Sequence, residues 1–279
     1  MKSIYDNVSV ECSKNITQKY STSFSLGIKL LNTEIRNPIY SIYGFVRLAD
    51  EIVDSFEGYE QAEMLKNLTR DTYESLDKKI SINPVLNSFQ KVVHDYNIDR
   101  DLIQAFLESM EMDLSKQFYN QALYEKYIFG SAEVVGLMCL KVFCKGNESL
   151  YNHLKTSAMK LGAAFQKINF LRDIKDDYEG LGRLYFPNTD FNNFTNNQKA
   201  LIEADIANDF DDGLVGIKQL PTESRLGVFL AYVYYKMLFK KIKAIPVNKI
   251  LKTRIRVADY QKIFLLMYSL IANRLNLIH

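Results

Sequence analysis

Apolar residues along this chain recur at spacings of three and four rather than two. That is the period of helices buried along one side, not of strands. Breakers are scarce as well, with five prolines and twelve glycines in 279 residues. The pattern predicts helices over about 4–19, 38–55, 59–79, 83–95, 98–115, 121–144, 148–176, 195–219, 221–243 and 257–276. Pro38 is expected in the first turn of its helix, where its missing amide costs nothing. No linker rich in Gly, Ser or Pro divides the chain, and no short tandem repeat is present. The expectation is therefore a single all-α domain over residues 1–279. The clearest irregular segment, "GLGRLYFPNTDFNNFTNNQ" from Gly180 to Gln198, is a candidate lid or mouth loop.

One feature breaks the simple reading of buried helices. "YGFVRLADEIVD", Tyr43 to Asp54, places acids inside an apolar run. It has an echo in "QKINFLRDIKDD", Gln166 to Asp177. Tyr43, Arg47, Asp50 and Asp54 fall within one sector of roughly 60–80° on a helix, and so do Gln166, Asn169, Asp173 and Asp177. Each helix thus carries one polar stripe with two aspartates four residues apart. Buried carboxylates repel one another and lose hydration, so two such stripes imply a polar cleft with positive charge inside it. Arg47 and Arg172 can supply part of that charge. A hard divalent cation can supply the rest: magnesium takes oxygen ligands and commonly combines one or two carboxylates with substrate phosphates.

Composition narrows the partners. Lys and Arg total 35 against 33 Asp and Glu, a net charge of +2. Nothing in that balance attracts nucleic acid, so anion binding must be local. Cys12, Cys139 and Cys144 are too few and too badly spaced for a disulfide framework or a zinc site, and are expected as buried free thiols in a reducing cytoplasm. The N-terminus lacks the apolar core of a secretory signal. The apolar tail "IFLLMYSLIANRLNLI" is about one turn short of a membrane span and contains Asn273 and Arg274. It is expected as a core helix. Transient membrane contact through it and the basic stretch Lys236–Lys252 is the alternative.

Four motifs, in order and covering nearly the whole chain, resemble those of the squalene/phytoene synthase family of head-to-head prenyl transferases. They are "YSTSFSLGIKLL" at 20–31, "YGFVRLADEIVD", "YIFGSAEVVGLM" at 127–138 and "FQKINFLRDIKDDYEGLGRLYFP" at 165–187. The resemblance implies an isoprenoid-synthase-type helical bundle around a central cavity. It implies two prenyl diphosphates, magnesium (with manganese as a substitute), and joining of C1 carbons through a cyclopropyl diphosphate. By position, Asp50, Asp54, Asp173 and Asp177, with Asn169, would hold the metals. Arg47, Gln166, Asn169 and Arg172 would contact diphosphate or order those acids. Ser23 and Phe24 would line the substrate entrance, Tyr43 would face the reacting carbons, and Tyr185 would lie near the site.

The chain departs from the family in two places. Tyr20 and Thr22 stand where His and Lys are frequent, so a basic contact must come from elsewhere. Lys252, Arg254 and Arg256 are candidates for it, although a charge run of this kind is by default a solvated patch. Phe129 stands where a second Tyr is frequent, which removes a hydroxyl. "GSAEVVG" at 130–136 supplies small residues either for close helix packing or for a long prenyl tail. The motif wording is most similar to bacterial phytoene synthases, implying condensation of two C20 geranylgeranyl diphosphates to phytoene in carotenoid synthesis, in the cytoplasm and without NADPH. A C15 enzyme making dehydrosqualene, hydroxysqualene or squalene is the alternative, followed by a non-catalytic lipid-binding or assembly protein of the same fold.

Overall fold

A computed structural model describes residues 1–115, 119–187, 189–190, 193–275 and 277–278. They are helical almost throughout. In chain order the helices are α1 (Lys2–Tyr20), α2 (Thr22–Lys29), α3 (Thr33–Ser55), α4 (Gln61–Lys78), α5 (Pro84–Asp95), α6 (Arg100–Met112) and α7 (Gln121–Ile128). A π-helical turn, Phe129–Glu133, leads into α8 (Val134–Cys144). Then come α9 (Glu148–Leu181), α10 (Asn196–Gln219), α11 (Thr222–Lys243), the single turn α12 (Val247–Ile250) and α13 (Asp259–Arg274). This is the helical isoprenoid-synthase fold.

Two apolar cores flank the centre. One gathers α3, α5, α6 and α8, with Phe45 stacked on Phe89 at 4.0 Å between ring centroids. The other gathers α9, α10 and α11 around Phe210. The long helix α9 is tied to α10 by buried Lys167, which reaches Asp205 at 2.5 Å and Asp209 at 2.6 Å.

Several expectations need correction. Pro38 lies inside α3, not in its first turn, because Asn32 caps the helix further upstream by accepting from the Glu34 amide. α2 was not expected as a helix. It is eight residues long and starts where the Ser21 side chain accepts from the Phe24 amide. The predicted helix 121–144 is continuous but contains the π turn. α9 runs five residues past its expected end, to a Gly182 cap with φ 66°.

The candidate lid is, in its first part, a wall: Arg183, Leu184, Tyr185 and Phe186 are buried. Residues 188, 191 and 192 of that segment lie outside the described residues. All three thiols are free, but only Cys144 is fully buried. The tail helix is not a core helix. Leu265, Ser269 and Ala272 face inward, while Ile263, Phe264, Met267 and Ile271 stand in solvent; residue 276 of the expected helix lies outside the described residues.

Candidate active site

Helices α3 and α9 position the site. α3 buries Ile42, Phe45, Ala49, Ile52 and Val53, and α9 buries Ala163, Ile168, Leu171 and Ile174. The polar stripe left on each helix faces one chamber of about 800 Å³. All eight stripe residues line it: Tyr43, Arg47, Asp50, Asp54, Gln166, Asn169, Asp173 and Asp177. So do Ser23, Phe24, Arg172 and Tyr185. Every residue singled out from the sequence as a site residue is therefore brought together.

Positive charge is interleaved with the acids. Arg47 pairs with Asp50 and Glu51 and lies over the Tyr20 ring at 4.4 Å. Its Nε is buried with no hydrogen-bond partner, an unused donor beside the chamber. Asp173 is clamped by Arg172, at 2.9 Å through Nε and 2.5 Å through Nη2. On its other side stands Arg254, whose Nε lies 2.9 Å away. Lys252, Arg254 and Arg256 are all exposed, as a solvated patch would be, but Arg254 and Arg256 also line the chamber while Lys252 stays outside it. Asp54 receives Arg183 Nη1 at 2.6 Å.

Two carboxyls remain short of positive charge. Burial, and then the neighbouring Asp54, push Asp50 up to about 7. Burial, and then Asp173 and Asp54, push Asp177 up to about 8. Burial raises Asp113, behind them, to about 6 against the pull of Arg183. Such groups favour a cation, so the residues fit a hard divalent ion. Among the described residues no three His, Cys, Asp or Glu side chains converge as a metal cage. An ion here would need oxygens from a bound phosphate as well, the usual arrangement for magnesium.

This electrostatic shortfall has a measurable sign. A carboxyl raised above its unfolded value, near 3.9, binds its proton more tightly when folded. Its stabilising effect is complete below about pH 4 and is lost as pH rises through 7 and 8. In chelator, the wild-type melting temperature is expected to fall between about pH 5 and pH 8.5 more steeply than that of Asp177→Asn. Equal slopes in thermal melts would remove the argument.

Below the carboxylates the chamber narrows through aromatic rings. Phe24 and Tyr43 lie 5.3 Å apart, Phe24 and Tyr235 6.2 Å, and Phe165 stacks on Tyr235 at 4.1 Å. Beyond this collar opens an apolar tunnel with a cavity volume of about 320 Å³. Both α3 and α9 run from the tunnel up to the chamber. Leu31, Phe143, Leu154 and Leu220 also line the tunnel; Leu154 stands fifteen residues back along α9 from Asn169, so the floor is inferred at this end. The small residues of 130–136 serve helix packing first. A methyl at Gly130 would meet the Ala105 carbonyl at 2.4 Å, and one at Gly136 the Ala158 carbonyl at 3.0 Å. Ser131, Ala132, Val135 and Gly136 also line the tunnel, so packing and room coincide.

Sequence reasoning missed Asp113, Tyr127, Arg183 and Tyr235. Asp113 accepts from Tyr127 at 2.6 Å and Tyr185 at 2.9 Å. Arg183 donates to the backbone carbonyls of Val53 and Asp113, each at 2.9 Å. Tyr235 donates to Asn169 at 3.3 Å. Tyr127 and Arg183 stand inside the quoted motifs, and a buried Arg beside a carboxylate stripe was the available signal. Tyr127 supplies a hydroxyl to the chamber, while Phe129 at the start of the π turn is 37% exposed and lines neither cavity.

Comparison with known proteins agrees with this geometry. The squalene/phytoene synthase family model matches residues 17–261. The chain is 33% identical over 171 residues to a presqualene diphosphate synthase of Sinorhizobium fredii, covering 60% of this chain and 58% of that protein. It is 26% identical to phytoene synthase 1 of Solanum lycopersicum, covering 85% and 62% respectively. It therefore spans about three fifths of the length of these two relatives. It is 24% identical to a 4,4'-diapophytoene synthase of Staphylococcus haemolyticus, covering 88% and 91%. A crystal structure of a dehydrosqualene synthase superposes with a TM-score of 0.79 at 21% identity, covering 96% of this chain and 98% of that one. YisP from Bacillus subtilis superposes at 0.72 and 13%, covering 95% and 98%. Matched over most of its length, the chain belongs to the squalene/phytoene synthase family, whose members are prenyl transferases that act on prenyl diphosphates and generally depend on divalent metal.

Proposed function

We propose that this protein condenses two C20 geranylgeranyl diphosphates head to head to phytoene. The observation that carries the reading is the pairing of two carboxylate stripes across a polar chamber that opens, through an aromatic collar, into an apolar tunnel. Diphosphate and metal belong with the first part, and a long hydrocarbon with the second. Asp50, Asp54, Asp173 and Asp177, with Asn169, would hold magnesium, which when bound supplies charge neutralisation to the leaving diphosphate. Arg47, with its open Nε, and Arg172 bind and orient diphosphate. Arg254 and Arg256 supply the basic contact missing at Tyr20 and Thr22.

In the balanced reaction two C1–O bonds break, the two C1 carbons become joined through a cyclopropyl diphosphate, and two protons leave. The cations are held dry by tunnel walls of Val46, Phe165 and Val228. Phe24, Tyr43 and Tyr235 present ring faces where positive charge passes from chamber to tunnel.

The choice of C20 leans on the room that a long tunnel wall leaves for a long chain. From Asn169 to Leu154, α9 offers fifteen residues of wall, about 22 Å at 1.5 Å per residue. The C15 reading draws on the relative named a diapophytoene synthase. Product analysis by mass spectrometry decides between them, with C15 or C20 diphosphate, magnesium, and NADPH present or omitted. A C40 hydrocarbon without NADPH supports the proposal. A C30 product overturns the chain length, and turnover persisting in EDTA overturns the metal.

The floor gives a sharper check. Cys139 lines the tunnel one helical turn above Phe143. Cys139→Phe is expected to lower C20 use relative to C15 by at least about 10–200-fold, the worth of a single methylene in an apolar pocket. Unchanged competition between the two substrates would place the floor elsewhere.

A further inference from the structure

Nine of the large apolar side chains that stand exposed fall in one stretch, Tyr260 to Leu277. At 100° per residue, Tyr260, Ile263, Phe264, Met267 and Ile271 share one sector of roughly 100°, and Leu265, Ser269 and Ala272 point away from it toward the protein. The exposures of Ile263, Phe264, Met267 and Ile271 are 63%, 65%, 53% and 52%. An apolar face this continuous is an interaction surface, not scatter.

Its surroundings are mainly basic; the one acid of α13, Asp259, is paired with Lys262 at 3.0 Å. From Lys236 to Ala258 the chain carries six lysines and two arginines and no acid. The fold brings that stretch against the start of α13. α11 and α13 run antiparallel, with Phe229 beside Tyr268 at one end, and Lys241 donating to the Arg256 carbonyl at 3.0 Å at the other. The same edge opens into the chamber: Arg254, Arg256, Val257 and Lys262 line its mouth, and Lys262 donates to Thr22 Oγ1 at 3.3 Å.

We propose that α13 is a monotopic docking helix, laid in the interface of an anionic lipid bilayer with the chamber mouth beside the membrane. Its sixteen residues span about 24 Å, short of the roughly 30 Å hydrocarbon core, so it lies on the bilayer and does not cross it. An apolar face rimmed by lysine and arginine matches anionic headgroups above acyl chains. A second copy is a poorer occupant, because a two-fold contact would set each basic rim against its own image. The choice of lipid also rests on the proposed function, whose substrates and product are long hydrocarbons.

The test is flotation of the full chain with vesicles of equimolar phosphatidylglycerol and phosphatidylcholine, and with phosphatidylcholine alone. The protein is expected to float with the anionic vesicles and to bind neutral ones at least about tenfold more weakly, with high salt weakening the anionic binding in the same way. The combined variant Ile263→Gln, Phe264→Gln, Met267→Gln, Ile271→Gln is expected to lose about tenfold or more of the vesicle binding, since binding follows buried apolar area. Its turnover of detergent-dispersed substrate stays at the wild-type level. Should that variant fail to fold, Phe264→Gln alone is expected to lower binding severalfold. The proposal is overturned if the wild type stays with the unbound fraction, or if the folded variant floats as well as the wild type. It is equally overturned if sedimentation shows a dimer that the substitutions dissolve while no lipid is bound. Flotation without any turnover would leave the surface standing and overturn the enzymatic reading instead.

Discussion

Asp50→Asn and Asp173→Asn each lose turnover by about 10³-fold or more, the expected result of removing a charge that serves the departing diphosphate. Asparagine keeps the shape of aspartate and removes its charge, so the change isolates electrostatics from packing. At Asp50 the fold gains: the carboxyl is pushed up to about 7 by burial and by Asp54, and a neutral amide escapes both. The metal-free melting temperature of Asp50→Asn should therefore equal or exceed that of the wild type, even as activity vanishes. Asp173 differs, because Arg172 and Arg254 both depend on it, and Asp173→Asn should cost some stability as well. Asp176→Asn is the control. That side chain also lines the chamber but is 57% exposed and meets Arg254 only at 3.9 Å, so the rate should change far less. A wild-type rate in either site variant, measured under saturating magnesium, would sink the assignment.

Arg183→Met carries the largest expected cost to folding, about 3–5 kcal/mol, the range for breaking a buried ion pair from one side. The Arg183 side chain is only 6% exposed. It holds Asp54, two backbone carbonyls and the edge of Asp113. Methionine fills much of the space but leaves Asp113 buried beside two tyrosine hydroxyls without its cation. Adding Asp113→Asn to Arg183→Met should recover part of the loss, because the orphaned charge goes with it. Chemical denaturation gives both numbers. Equal stability of Arg183→Met and wild type would mean that Asp113 is already protonated in the folded protein and needs no partner.

The sequence made the site more legible than the architecture around it. Two stripes, at offsets of 4, 7 and 11 and of 3, 7 and 11, were enough to place eight chamber residues, because a helix buried on one side must present whatever remains to a single neighbour. Long periodic helices such as α9 and α11 were plain for the same reason. α2 and α12 were not, since eight and four residues hold too little periodicity to stand out. The start of α3 was obscured by taking Pro38 as a boundary when Asn32 capped the helix further back. The tail misled in the opposite direction: its composition is that of a core helix, and only the fold shows that no element covers its outer face among the described residues. Arg183 and Asp113 were hidden because a buried pair 70 residues apart leaves no local pattern.

α3 ends at the chamber with Asp54 in its last turn, and α9 ends just past it with Glu179 in its last turn and Asp177 immediately before; neither last turn carries a basic residue. The carboxyl ends of two helix dipoles thus add their partial negative charge to four carboxylates. The empty protein is consequently a poorer folder than it could be, and ligand repays the difference: at a hundred times its dissociation constant, a ligand bound only by the folded form adds about 2.7 kcal/mol. In a cell that degrades unfolded chains, that linkage is expected to make the amount of protein follow the supply of the diphosphate and metal proposed for it. If the proposed function holds, a shortage of precursor is expected not merely to idle the protein but to lower its steady-state level.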